Sequence, residues 1–95
     1  MTDAVHRLAI VGCADRATRR GLLEGFRRRG VHAVGFADAA RVRQAMQGVL
    51  PELLVVDADL PGAPELADEV RAGAGYRSVR LVVLAGARRP LAVPA

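Results

Sequence analysis

Asp57 ends the apolar run Leu53-Leu54-Val55-Val56, with Asp59 two residues on and Leu60-Pro61-Gly62 closing the segment. An apolar run that stops at a carboxylate and then a turn has the form of a buried strand delivering an acid to a sheet edge. In open parallel sheets the ligand crevice lies beyond the carboxyl ends of the strands, so an acid there meets solvent, metal and ligand together. A carboxylate in a partly buried crevice is costly without a partner. Arg16 and the Arg88-Arg89 pair are the expected partners, supplying positive charge at the site. Cys13 is the second reactive group. Between a strand end and a helix N-terminus a thiol can become nucleophilic and serve as a redox or metal sensor. The simpler expectation is a small buried side chain, and a neighbouring Asp57 would oppose thiolate formation. His6 and His32 lie far apart with no second cysteine at ligand spacing, which argues against zinc.

The elements that must position these groups follow from periodicity. Leu8-Ala9-Ile10-Val11 is a short continuous apolar run bounded by Gly12, as expected for a strand covered on both faces. Asp15 can cap a helix running to about Arg29, with Thr18, Leu22, Leu23 and Phe26 three or four apart and Gly30 as the stop. Val31 to Phe36 alternates loosely and reads as an exterior strand. Asp38 caps a second helix in which Val42, Ala45, Met46 and Val49 keep helical spacing, ending before Pro51. The third strand is Leu53 to Val56. Pro64 suits the first turn of a helix through about Ala72, and Gly73-Ala74-Gly75 ends it before the fourth strand, Leu81 to Leu84. Strands alternating with helices predict an α/β fold with a parallel sheet wrapped on both faces.

Ninety-five residues fall below the usual ~100–150 of a domain, so the chain holds one domain with a modest core. It is 52% hydrophobic and 25% charged, which is globular composition, and no apolar run approaches the ~20 residues of a membrane span. The N-terminal apolar run is too short for a signal peptide, and a single cysteine forms no internal disulfide; a cytoplasmic setting is expected. All 14 basic residues are arginines, against 10 acids, for a net charge of +4. Arginine with abundant alanine and glycine reads as composition bias rather than nucleic-acid binding. Arg27-Arg28-Arg29 could meet phosphates, but basic residues at a helix end also complement its dipole. Phe26, Phe36 and Tyr76 are too few and scattered for a stacking platform, and neither a dinucleotide nor a P-loop glycine motif occurs.

The segment Asp57-Ala58-Asp59-Leu60-Pro61-Gly62 resembles the phospho-acceptor strand of bacterial response-regulator receiver domains. There an aspartate ends the third strand, followed after two residues by Leu or Met, Pro and often Gly. The interval from Ala37-Asp38 through Pro51-Glu52 to Asp57 matches that family without a gap, and Arg7–Val11 and Val79–Leu84 resemble its first and fourth strands. The resemblance implies a flavodoxin-like parallel sheet of order 2-1-3-4. It places a receiver-like domain at residues 1–86 and a C-terminal tail at 87–95. That tail is too short for the fifth strand and last helices that complete a receiver. The fourth strand is then an edge, a known pairing hazard. A homodimer mate, a protein partner or the tail folded back should cover it, unless the chain is a fragment of a longer parent.

In that family the aspartate takes a phosphoryl group from a histidine kinase or a small acyl phosphate, with Mg²⁺ offsetting charge on the transferring oxygens. By resemblance Asp57 is the acceptor, and Asp57, Asp59 through its backbone carbonyl, and Asp15 are the candidate metal ligands. Gly12 and Cys13 stand where the family has its acid pair; shifted by one residue, the pair becomes Cys13 and Ala14, still without a carboxylate. Ala85 stands at the Thr/Ser switch position, where a methyl offers no hydrogen bond. The family's lysine is absent. The expectation is a signalling interaction module that is not an enzyme, needs no cofactor and acts without phosphorylation. The alternative is a working phosphorelay receiver phosphorylated on Asp57 by a histidine kinase, with Mg²⁺ bound through Asp15. A third reading is an Arg-rich nucleic-acid binder, whose affinity would fall steeply with salt. No membrane partner is expected.

Overall fold

The computed structural model describes residues 7–84. They form β1 (Leu8–Gly12), α1 (Arg16–Arg28), β2 (His32–Phe36), α2 (Ala39–Gly48), β3 (Leu53–Asp57), α3 (Ala63–Ala72), a 3₁₀ turn (Ala74–Tyr76) and β4 (Arg80–Leu84). The four strands make one parallel sheet in the order β2-β1-β3-β4, a flavodoxin-like α/β arrangement. The helix starts are chemical: Asp15 accepts from the Thr18 backbone N–H at α1, and Asp38 accepts from that of Arg41 at α2. The start of α3 works differently. Gly62 adopts φ 85°, a left-handed conformation that favours glycine, and Pro64 occupies the first turn where its missing N–H is harmless.

Two apolar layers flank the sheet. Ile10, Leu54 and Val56 pack with Val42 and Met46 of α2, Leu66 and Val70 of α3, and Leu60 from the loop after β3. On the other face Val11, Cys13 and Val55 meet Leu22, Leu23 and Phe26 of α1. The first layer is the deeper one, because two helices cover it. Although α1 has the expected apolar stripe, none of its residues is fully buried. Pairing of Val55 with Val82 and of Asp57 with Leu84 sets β4 beside β3, so Val82 and Leu84 share the face that α1 covers and Val83 the other. Among the described residues β4 is an outer strand, and Val82 and Val83 stay 40% and 43% exposed. The expected elements are all present; the 3₁₀ turn is additional, closed by Tyr76 N–H donating to the Gly73 carbonyl. No helix among the described residues is long and apolar enough to cross a membrane. The 87–95 tail lies outside the described residues.

Candidate functional site

Parallel pairing of β1 with β3 runs to Gly12 opposite Val56, so the next residues of the two strands, Cys13 and Asp57, emerge side by side at the carboxyl edge. Backbone bonds carry the ladder past the strand ends: Cys13 N–H donates to Phe36 O at 3.0 Å, and Ala58 N–H to Leu84 O at 2.9 Å. Both side chains are enclosed, Cys13 at 0% and Asp57 at 5% exposure. A nearly buried carboxylate must be satisfied locally, and here it is. The Cys13 thiol donates to Asp57 Oδ2 at 3.4 Å, and the Asp59 backbone N–H donates to Oδ1 at 3.0 Å.

Burial pushes the Cys13 thiol above its ordinary value. Asp57 pushes the same way, by accepting its hydrogen bond and by its charge, while a backbone hydrogen bond at Asp15 pulls down. Cys13 therefore stays a protonated thiol, the opposite of an activated nucleophile.

Gly12 is shaped by the core. A methyl group added there would lie 3.1 Å from Val42 Cγ2 and 3.2 Å from Leu60 Cδ2. The volume that a side chain at position 12 would need is already filled by α2 and by the Leu60 of Leu60-Pro61-Gly62.

Asp15, the candidate ligand nearest in sequence, accepts from the Thr18 N–H at 2.9 Å and the Thr18 hydroxyl at 2.7 Å, and so caps α1. Asp59 is exposed, and the bond recorded to Asp57 comes from its backbone amide. Among the described residues no three His, Cys, Asp or Glu side chains gather as a metal-holding group. Mg²⁺ takes near-octahedral oxygen ligands. A thiol bonded to one Asp57 oxygen and an amide to the other do not fit that set. Ala85, the switch position, lies outside the described residues.

Of the expected arginine partners, Arg16 is a correction. Arg16 is exposed and makes no bond to Asp57, whose partners are the Cys13 thiol and the Asp59 amide; Arg88 and Arg89 lie outside the described residues. The arginine that does serve the site is Arg19, one turn along α1. It donates to the Cys13 carbonyl at 2.9 Å, supporting the strand end through its backbone rather than the carboxylate. Its stem crosses β2 at Gly35, where an added methyl would come within 3.0 Å of Arg19 Cγ. Gly35 inside a strand was the available signal, since such a glycine marks close approach of another group.

No family model, no curated protein and no solved structure matches the chain. The functional reading accordingly rests on the edge chemistry itself.

Proposed function

We propose that this chain is a receiver-like signalling module of the cytoplasm that works by presenting a surface to a protein partner or a second copy, without phosphorylation. The observation that carries this reading is the end of β1. Cys13 caps the carboxylate that would act as acceptor, and the adjoining Gly12 volume is occupied by Val42 and Leu60. A phosphoryl group on Asp57 would break the thiol hydrogen bond and bring more negative charge into an enclosed position that, among the described residues, holds no cationic side chain. The fold keeps Asp57 as a structural acceptor that ties β3 to β1 and closes the turn to Asp59. The exposed edge of β4, with Val82 and Val83, is where pairing would occur.

A second reading, a phosphorelay receiver fed by a histidine kinase, draws on the placement of Asp57 at the carboxyl end of β3 ahead of Leu60-Pro61-Gly62. Light scattering during size exclusion, with and without acetyl phosphate and Mg²⁺, separates the two. A phosphate-independent module keeps one association state in both conditions, and Asp57→Asn behaves as the parent does. A change of state on acetyl phosphate that Asp57→Asn abolishes would establish the relay reading instead.

A further inference from the structure

Among the described residues the apolar cover on the α1 side of the sheet is incomplete. α1 lies over β1 and β2, while Leu53 and Leu84 are half-buried and Val82 is 40% exposed on the same face. Phe26 joins two depressions there. One, about 250 Å³, runs along α1 past Gly21, Leu22 and Gly25 to Arg29; the other passes Leu53 to Arg80 and Arg7. Together they make a trough with an apolar floor and arginines on its rim. Arg7 is paired with Glu52 at 3.8 Å, whereas Arg29 and Arg80 make no ion pair among the described residues. The lining therefore carries Arg7, Arg29 and Arg80 against one acid, Glu52.

We propose that this trough docks an acidic amphipathic helix of a protein partner, its apolar stripe against Leu22, Phe26 and Leu53 and its carboxylates over Arg29 and Arg80. The inference rests on the interaction-module reading and names the surface and partner chemistry it lacks. Charge complementarity selects the occupant. A second copy seated on this face would set Arg29 and Arg80 of one copy against the same arginines of the other, and like charges across an interface oppose association. A nucleic acid would satisfy the arginines but leave the apolar floor without a match. A helix with three or four apolar positions per two turns and acids on its flanks satisfies both.

The probe is a fluorescein-labelled helical peptide of about 16 residues with leucines at i, i+3, i+4 and i+7 and glutamates elsewhere. Control peptides replace every glutamate by lysine, or every leucine by glutamine. The acidic, leucine-bearing peptide should bind the full chain at least about tenfold more tightly than either control. Gly25→Leu should cost about tenfold in affinity by filling the trough. Nothing lies within 4 Å of a methyl added at Gly25, and an unchanged thermal midpoint verifies that the variant keeps its fold. Arg29→Glu with Arg80→Glu should weaken binding similarly, in a salt-dependent way. Equal binding of the lysine peptide, or indifference to Gly25→Leu, overturns the proposal. So does duplex DNA binding more tightly than the peptide, or a dimer that Gly25→Leu dissolves. The module reading fails on a separate signal, an Asp57-dependent response to acetyl phosphate, which can occur whether or not the peptide binds.

Discussion

The hydrogen bond from the Cys13 thiol to Asp57 makes a statement about pH. Burial first and the carboxylate second raise the thiol above its ordinary 9.0, so the folded protein holds that proton more tightly than the unfolded chain does. The resulting stabilisation is present in full below the unfolded value and is lost as pH rises through the higher folded value. Urea midpoints measured from about pH 7 to about pH 10.5 should show the parent's advantage over Cys13→Ala shrinking on the alkaline side. Parallel curves would mean the thiol titrates alike in both states. Gly12 carries a second prediction. Gly12→Asp, which puts an acid at one of the two edge positions, must displace Val42 and Leu60 and bury a charge, and should cost at least about 2 kcal/mol in chemical denaturation. A neutral Gly12→Asp would show that the core yields there. Neither the thiol bond nor the filled volume is visible along the chain, because each joins residues that only the β1–β3 register and the docking of α2 bring together. What the sequence does show at this scale is that Cys13 would be buried beside Asp57. Arg16 is not the arginine at the site because helix phase decides which arginine reaches back over the strand end, and Arg19, one turn on, has the phase.

At the scale of elements, local chemistry sets most boundaries, which is why they could be read in advance. Asp15 and Asp38 cap their helices as their positions suggest, and Pro64 sits in the first turn of α3. Asp38→Ala should cost about 1 kcal/mol, the usual loss on removing such a cap, measured as a shift in urea midpoint. No measurable loss would mean that the α2 N–H groups find water equally well. The depth of each helix was less legible. The spacing of Leu22, Leu23 and Phe26 reads as a core-facing stripe, yet α1 buries none of its residues fully, because among the described residues its face of the sheet has a single helix and the opposite face has two. The 3₁₀ turn was missed for a related reason. Gly73-Ala74-Gly75 signals a stop, and the short turn that follows is fixed by backbone bonds and by Tyr76 packing at the edge of the core.

For the whole molecule, alternation of strand and helix was enough to give a parallel α/β sheet, and the strand order that the receiver resemblance implied is the order observed. The same arrangement produces two distinct features: the carboxyl edge, where Asp57 accepts the thiol hydrogen bond, and the α1 side, where a trough lined by Leu22, Phe26 and Leu53 carries Arg29 and Arg80. The central claim is that Asp57 serves structure rather than phosphoryl transfer. Intact-mass spectrometry of the full chain after incubation with acetyl phosphate and Mg²⁺, beside Asp57→Ala, tests it most directly. No phosphoryl adduct on the parent is the result this account predicts. A phosphoryl mass gain on the parent that is lost in Asp57→Ala would contradict it.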